Sequence, residues 1–220
     1  MTVIFDFDGT LANTLDLILD LYNQYITKEF RCKTFDKSRL EELRGKRPSS
    51  FLRDYRVTPL KLPFVIIRVR QLLRERMTAV QPHEGIGTLL SALHERKIEM
   101  GIVTSNSRAN VEVFLAQHGW AHYFRFIRSS RSLVSKRRSF EKVITKYQLE
   151  REQILYIGDE VRDIKACQAA HLQCAAVTWG HQNRALLSQH HPNVIVDQTE
   201  EILQYIDREF VSSDSFLEPI

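Results

Sequence analysis

The sequence predicts an α/β fold in which a doubly wound, mostly parallel sheet carries an inserted, all-helical segment. Three observations lead to this prediction. Short apolar runs alternate with amphipathic stretches from residue 81 onward, a further apolar run lies at residues 3–7, and residues 14–80 contain no convincing strand. Apolar strands that alternate with helices are typical of a parallel sheet covered on both faces. The first strand belongs to this sheet, so residues 14–80 are an insertion.

The N-terminal elements follow from apolar spacing. The first strand is predicted over Val3–Phe7. A helix is predicted over Thr14–Phe30, because apolar residues recur there at steps of three and four and Asn13 or Thr14 can cap it. Two further helices are predicted in the insertion, over Lys37–Arg44 and Pro63–Met77.

The remaining elements alternate in type along the chain. Helices are predicted at about residues 86–93, 108–118, 140–147, 163–170 and 199–208. Strands are predicted at about residues 100–104, 125–128, 154–158, 174–178 and 194–196. Residues 211–220 are predicted to form a loosely held tail. The predicted organisation is therefore a core of residues 1–13 and 81–210, an inserted helical domain of residues 14–80, and the tail.

Composition indicates an ordinary globular protein. Of the 220 residues, 43% are hydrophobic and 26% are charged, which argues against disorder. No apolar stretch approaches the ~20 residues that a membrane helix needs, and the apolar run at residues 3–5 is too short for a signal peptide. The cysteines Cys32, Cys167 and Cys174 form no close pair, which is expected in a reducing compartment. We therefore expect a cytoplasmic protein with no membrane partner.

The positive charge is concentrated in the insertion. Residues 14–80 hold 15 Lys and Arg against 8 Asp and Glu, whereas the rest of the chain holds 16 against 19. A nucleic-acid-binding function is disfavoured, because aromatic residues are not interleaved with these basic residues in a stacking pattern. An anionic substrate remains compatible with the charge of this segment.

Polar residues follow the predicted strands at the edge where a doubly wound sheet binds its ligands. Neighbouring carboxylates repel one another unless a cation lies between them, and a set of oxygen ligands without His or Cys favours Mg²⁺. The sequence therefore predicts a magnesium site at this edge. The residues expected there are Asp6, Asp8, Thr104, Ser105, Asn106, Lys136, Asp159 and Asp163.

These residues lie in four motifs that resemble those of the haloacid dehalogenase superfamily. The motifs are, in order, DFDGT, VTSN, a lysine after the third strand, and GDEVRD. The insertion resembles the C1 cap of the phosphoglycolate-phosphatase-like branch, and the likeness extends to ELRGKRPSSFLRD and AVTWGHQNRALL, covering about residues 1–210. The resemblance implies a Rossmann-like core and a Mg²⁺-dependent phosphatase. Its substrate would be a small phosphorylated metabolite, phosphoglycolate being one candidate.

The resemblance also implies a role for each motif residue. Asp6 would be the nucleophile that forms an aspartyl-phosphate, and Asp8 the acid and base that moves protons to and from the substrate. Thr104 and Lys136 would hold the phosphoryl oxygens. Mg²⁺ would be held by the Asp6 carboxylate, the Asp8 backbone carbonyl and Asp159, and Asp163 would be a further ligand or an outer partner.

Several assignments keep an alternative. Gly9 is expected to turn the backbone so that its amides face phosphate. Ser105 and Asn106 either bind substrate or only cap the next helix. Arg137 or Arg138 could replace Lys136 as the phosphate ligand. His181 and Trp179 are interpreted as loop packing.

The helical cap is expected to recognise the leaving group of the substrate. Arg44 and Arg47 are the candidate substrate-binding residues, with Lys46 beside them, because they flank Gly45 in a predicted loop at the junction with the core. The alternative is that these side chains form a solvated basic surface.

Three other functions are alternatives to this hypothesis. A phosphomutase of the same superfamily remains open, because such relatives keep both aspartates and a similar cap. A phospho-acceptor receiver module is disfavoured, because its aspartate lies on a middle strand and no cap follows it. Dehalogenase activity is disfavoured by Asp8, which that reaction does not use.

Overall fold

A six-stranded sheet forms the centre of the computed structural model, which describes residues 1–46, 48–130 and 136–211. All neighbouring strands pair in parallel, in the order β3-β2-β1-β4-β5-β6. The predicted doubly wound parallel sheet is therefore confirmed. The strands are β1 Thr2–Phe5, β2 Glu99–Thr104, β3 Phe124–Ser129, β4 Ile154–Gly158, β5 Gln173–Val177 and β6 Val194–Val196.

The central strand β1 is apolar on both of its faces. Val3 and Phe5 pack into one hydrophobic cluster and Ile4 into the cluster on the opposite face, and all three are fully buried. Helices cover both faces of the sheet, which is why the strand shows no alternation of polar and apolar residues. The strand ends at Phe5, two residues before the predicted end. The Asp6 N–H still donates to the Ile157 carbonyl at 2.8 Å, and the Phe7 carbonyl accepts N–H groups of the turn that follows.

The strand order reverses beside β1. The next strand in sequence, β2, lies on one side of β1, and β4 lies on the other. Phe5 is paired with Ile102 on β2 and with Ile157 on β4. A crevice forms beyond the carboxyl ends of the strands at such a reversal. Asp6 and Asp159 follow β1 and β4 directly, so both enter this crevice.

The segment between β1 and β2 begins with helices, as predicted. Its first helix runs over Leu15–Leu21, continues as a π-helical turn Tyr22–Ile26 and ends with Thr27–Glu29. Up to residue 80, the other α-helices are Leu40–Arg44, Pro48–Asp54 and Leu62–Glu75. Helix Pro48–Asp54 was not predicted, although a proline at the first helical position is well tolerated. The division into core and cap at residues 13 and 80 remains a prediction.

The core helices agree with the predicted positions within a few residues. Helix Lys136–Tyr147 begins four residues earlier than predicted, so Lys136 is its first residue. Helix Arg184–Ser188, capped by the Asn183 side chain, is too short to show a period and was not predicted. The predicted tail lies, apart from Val211, outside the described residues. The other helices are Ile86–Glu95, Arg108–Gln117, Val161–Ala170 and Thr199–Ile206.

No helix in the described part of the chain has the length and apolar character to cross a membrane.

Candidate active site

Asp6 and Lys136 form a buried ion pair at the end of β1. The Lys136 ammonium donates to Asp6 Oδ2 at 2.6 Å, while Asp6 Oδ1 accepts the backbone N–H of Phe7 at 2.8 Å. Lys136 also donates to the Tyr156 hydroxyl at 2.7 Å and to Asp163 Oδ1. Its side chain is 8% exposed. Burial opposes the charge of Lys136, but the carboxylates of Asp163 and Asp6 outweigh this effect and raise its pKa.

Asp159 is fully buried at the end of β4 and is held by three donors. Its Oδ1 accepts the Thr10 hydroxyl at 2.9 Å. Its Oδ2 lies 2.7 Å from both the backbone N and the ring Nδ1 of His181. Burial favours the neutral acid, but His181 and Thr10 together hold the pKa of Asp159 at about 2. Asp159 is therefore an ionised carboxylate.

Asp163 lies in the first turn of helix Val161–Ala170. Its Oδ2 accepts the backbone N–H of Glu160 at 3.1 Å, which completes a capping box with the Glu160 side chain. Its other oxygen accepts from Lys136. Burial and the neighbouring Asp6 carboxylate raise the pKa of Asp163 to about 7, against the opposing charge of Lys136. Asp163 is thus both a helix cap and a member of the site.

Asp6, Asp159 and Asp163 form a cluster that suits a hard cation. One oxygen from each carboxylate lies within 4.8 Å of the others, and all three residues are buried. The three buried acids outnumber the two cations that contact them, Lys136 and His181, so a further cation would relieve their repulsion. A donor set made only of oxygens fits Mg²⁺.

Asp8 lies beside this cluster and faces the end of β2. Its Oδ1 accepts the Asn106 side-chain N–H at 2.9 Å. Burial, together with the charge of Asp6, raises the pKa of Asp8 to about 6, although His181 and Asn106 oppose the rise. Asp8 therefore ionises less readily than an exposed aspartate and is suited to carry a proton.

The residues after β2 form a rigid hydrogen-bonded turn. Thr104 is buried, and its hydroxyl oxygen accepts the Asn106 backbone N–H at 3.0 Å. The next helix is capped by Ser107, whose hydroxyl accepts from the backbone of Asn110. Ser105 and Asn106 are therefore not the helix cap. The Ser105 carbonyl accepts a hydrogen bond at 2.8 Å from Arg70 of the helix Leu62–Glu75.

Gly9 allows a close approach between two loops. Its φ is +75°, and a Cβ atom there would lie 2.2 Å from both Asp159 Oδ2 and His181 Nδ1. Only glycine meets both the backbone and the space requirement. Its own N–H donates to the Ala12 carbonyl at 2.9 Å. The N–H of Gly9 itself is therefore engaged within the turn, and the orientation of the backbone amides of this turn toward phosphate stays a prediction.

His181 is a site residue that sequence reasoning missed. Its ring contacts Asp159, although it was interpreted as loop packing. Burial disfavours its charge, but the Asp159 carboxylate outweighs this and raises the pKa of His181 to about 9. The neighbouring Trp179 donates its indole N–H to the Thr10 carbonyl at 3.1 Å. The signals available in the sequence were the small residue Gly180, which permits this approach, and the family likeness of the stretch AVTWGHQNRALL that contains His181.

The candidate residues of the cap lie at its junction with the core. Arg44 Nε donates to the Gly180 carbonyl at 3.0 Å, and Arg44 Nη2 donates to the Thr178 carbonyl. Lys46 pairs with Glu42 at 2.7 Å and with Asp54 at 3.2 Å. Arg47 lies outside the described residues. Substrate binding by Arg44 and Arg47 remains a prediction, and the contacts of Arg44 are those of a residue that joins cap to core.

The motif-three alternatives differ in burial. Lys136 is buried within the acidic cluster, whereas Arg137 and Arg138 are exposed on the same helix. Lys136 is therefore the one of the three basic residues that faces the candidate site.

Comparison with known proteins agrees with the family resemblance of the four motifs. The sequence profile of the haloacid dehalogenase-like hydrolases matches residues 3–177, a span that contains all four motifs of the sequence analysis. The chain is 29% identical to a phosphoglycolate phosphatase of Synechococcus elongatus, over 93% of this chain and 96% of that protein. It is 27% identical to the pyrophosphatase PpaX of Oceanobacillus iheyensis, over 95% of this chain and 98% of that protein.

Solved structures share the fold. A haloacid dehalogenase-like hydrolase from Streptococcus pneumoniae superposes with a TM-score of 0.78 at 23% identity, covering 93% of this chain and 97% of that one. CbbY from Rhodobacter sphaeroides, solved in complex with phosphate, gives a TM-score of 0.70 at 20% identity, covering 91% and 95%.

Proposed function

Because the chain belongs to the haloacid dehalogenase-like hydrolases, in the phosphoglycolate-phosphatase-like branch, and is a phosphatase, we propose that it hydrolyses a small phosphorylated metabolite with Mg²⁺ and through an aspartyl-phosphate. Phosphoglycolate and pyrophosphate are the first candidates, because relatives similar over nearly their whole length carry those names. The proposal rests chiefly on one observation, the buried cluster of Asp6, Asp159 and Asp163 against Lys136.

Asp6 forms the covalent intermediate in this proposal. A carboxylate oxygen of Asp6 attacks the phosphorus, and the bond between phosphorus and the ester oxygen breaks. Asp8 donates its proton to the departing alkoxide, so that a neutral alcohol leaves. Lys136 and Thr104 stabilise the phosphoryl oxygens as charge develops on them.

The second step releases inorganic phosphate. Asp8, now a carboxylate, takes a proton from a water molecule, and the resulting hydroxide attacks the phosphorus. The bond between phosphorus and the Asp6 oxygen breaks, which regenerates the free enzyme. Asp6, the Asp8 carbonyl and Asp159 would hold Mg²⁺, with Asp163 as a ligand or outer partner, and the ion would supply positive charge beside the phosphoryl group. The Asn106 amide keeps Asp8 in place for both proton transfers.

A chelator experiment tests the metal requirement, and an Asp6 variant tests the nucleophile. Purified protein should hydrolyse p-nitrophenyl phosphate, lose the activity in excess chelator and regain it with Mg²⁺. Asp6→Asn should lower kcat by about 1,000-fold or more, because an amide is a poor nucleophile, while circular dichroism shows an unchanged fold. After an acid quench, mass spectrometry should detect a phosphoryl adduct on Asp6 in the wild type and none in Asp6→Asn. Near wild-type turnover by Asp6→Asn contradicts the covalent mechanism.

We also propose a cytoplasmic location. The structure contains the free thiols Cys32, Cys167 and Cys174, of which the last two are buried. Free thiols are typical of proteins in a reducing compartment.

A further inference from the structure

A cavity of about 250 Å³ lies between the cap helices and the core. Its walls are mainly aliphatic side chains from the first cap helix and the long helix Leu62–Glu75, including Ile18, Val65 and Val69. Leu43 and Leu52, from two other cap helices, add to the apolar lining. An apolar lining of this kind favours an apolar occupant over water.

One end of the cavity adjoins the candidate active site. His181 and Glu160 form part of its wall. The His181 ring contacts Asp159 at 2.7 Å, and Glu160 follows Asp159 in sequence. The cavity therefore reaches the residues that support and follow Asp159, whereas Asp6, Asp8 and Lys136 do not line it.

The charged groups in the cavity wall already have partners of opposite charge. Lys46 pairs with Glu42 and Asp54, Glu160 pairs with Arg162 at 2.6 Å, and His181 pairs with Asp159. Arg44, at the cap–core junction near the cavity, donates to backbone carbonyls and to Glu41. Among these described groups, none is left to neutralise a second anionic group on a substrate. A carboxylate buried without such a partner binds poorly.

We propose that the physiological substrate is the phosphate monoester of an uncharged, apolar alcohol whose organic part occupies this cavity. This inference rests on the phosphatase function proposed above; it keeps a small phosphorylated metabolite as the substrate and disfavours the two anionic candidates named there. A cavity of about 150 Å³ already accommodates benzene, so about 250 Å³ suits an alkyl chain or ring of about six carbons. Phosphoglycolate and pyrophosphate, which both carry a second anionic group, fit the lining less well.

A series of n-alkyl phosphates from ethyl to hexyl tests the inference. The leaving alcohols have nearly equal acidity, so differences in rate report binding of the chain rather than the chemical step. Each added methylene buried in the cavity should raise kcat/KM by about threefold to fourfold. The measurement is phosphate release by the full chain in the presence of Mg²⁺.

Isobutyl phosphate and phosphoglycolate form a matched pair. In both, the CH2 next to the ester oxygen carries one branched group of three non-hydrogen atoms, which is a carboxylate in phosphoglycolate and an isopropyl group in isobutyl phosphate. The inference predicts a kcat/KM at least tenfold higher for isobutyl phosphate. A kcat/KM tenfold higher for phosphoglycolate overturns it.

Two variants of the helix Leu62–Glu75 test whether the dependence of kcat/KM on alkyl chain length arises in the cavity. Val69→Asn places a polar group on the cavity wall and should lower the ratio of hexyl to ethyl kcat/KM by at least fivefold. Ile67→Asn makes the same chemical change on the solvent side of that helix, where Ile67 is 54% exposed, and should keep the ratio within twofold of wild type. If Val69→Asn does not fold, the nearly isosteric Val69→Thr replaces it and should shift the ratio in the same direction.

The outcomes separate the inference from the proposed function. Turnover of ethyl phosphate with no gain along the alkyl series, or equal ratios in both variants, overturns the apolar substrate class and leaves the phosphatase mechanism standing. No Mg²⁺-dependent turnover of any ester overturns both.

Discussion

Lys136 supplies the nearest fixed positive charge to the buried carboxylates at the end of β1. It contacts Asp6 and Asp163 together, and the hydroxyl of Tyr156 holds the ammonium from a third direction. The backbone fixes Lys136 at the first position of its helix, so a longer or shorter side chain would miss one of these partners.

We expect Lys136→Met to lower kcat/KM for p-nitrophenyl phosphate by about 100-fold or more, because a group that stabilises charge in the transition state is removed. Arg138→Met is the matched control. It removes a positive charge from an exposed position two residues along the same helix and should change kcat/KM by less than twofold. Circular dichroism on both variants excludes unfolding. A large loss for Arg138→Met alone would reassign the phosphate ligand.

His83 is a partly buried histidine beside Trp179. Its Nε2 is buried and accepts or donates no hydrogen bond in the described structure. Burial lowers the pKa of His83 to about 4; the Asp159 charge opposes the shift, and the charges of His181 and Arg44 add to it. The folded state therefore resists protonation at a pH where the unfolded chain, with a histidine pKa of 6.5, already binds a proton.

The stability contributed by the neutral His83 is fully present above about pH 6.5 and is lost as the pH falls toward about 4. Between about pH 7.5 and about pH 5, this group should remove about 1–2 kcal/mol from the free energy of unfolding. His83→Gln has no titrating group at this position, so its free energy of unfolding should fall by about 1–2 kcal/mol less than that of the wild type over the same pH interval. Urea unfolding with chelator present measures both proteins. Parallel pH profiles for the two proteins would show that His83 is readily protonated in the folded state.

At the scale of secondary-structure elements, Arg44 joins the helix Leu40–Arg44 to the loop that follows β5. Its guanidinium binds the carbonyls of Thr178 and Gly180, and the Asn183 backbone N–H donates to the Arg44 carbonyl at 3.1 Å. The same loop carries His181 onto Asp159. A change at Arg44 therefore reaches the active site through the loop.

We expect Arg44→Met to lower kcat/KM about tenfold for neutral and anionic leaving groups alike, because it loosens the loop that supports Asp159. Lys46→Met is the control, since Lys46 pairs only with acids of the cap in the described structure. Steady-state kinetics on p-nitrophenyl phosphate and phosphoglycolate make the comparison. A rise in KM restricted to phosphoglycolate would instead favour direct substrate binding by Arg44.

At the scale of the whole molecule, the acidic cluster couples metal binding to stability. A ligand that binds only the folded state raises the free energy of unfolding by about 2.7 kcal/mol at a concentration 100 times its dissociation constant. Mg²⁺ should therefore raise the melting temperature of the wild type by several degrees, with saturation. This measurement needs no substrate.

The carboxylate requirement is tested by a pair of Asp→Asn variants. Asp159→Asn should abolish the Mg²⁺-dependent rise in melting temperature, because it removes a proposed ligand. Asp197→Asn changes an exposed aspartate paired with Arg184 and should keep the rise. A full Mg²⁺ response in Asp159→Asn would place the metal elsewhere.

The sequence was sufficient for the architecture because the strands are apolar throughout and the polar residues follow them directly. Asp6 and Asp159 could be placed at one edge of the sheet from the rule that parallel strands end together. His181 could not, because its contact with Asp159 depends on a loop conformation that has no periodic signal. The short helix Arg184–Ser188 was missed for the same reason.

The charge of the cap illustrates a second limit of sequence reasoning. Net charge counts residues, whereas binding depends on which charges are already paired. The structure pairs several basic residues with acids of the same segment, including Lys37 with Asp20 at 2.7 Å and Arg68 with Glu29 at 2.9 Å. The apolar cavity between the cap helices and the core is likewise evident only from the three-dimensional arrangement.

The position of β1 at the centre of the sheet has a consequence for synthesis of the protein. This strand is made about 150 residues before its partner β4, which begins at Ile154. At a typical elongation rate, β4 follows on the order of ten seconds later. During that interval β1 is an apolar segment without its full set of partners, and Asp6 has no Lys136 beside it. The proposed active-site carboxylates therefore come together only after Asp163 has been made, and until then β1 is a binding site for a chaperone that shields short apolar segments.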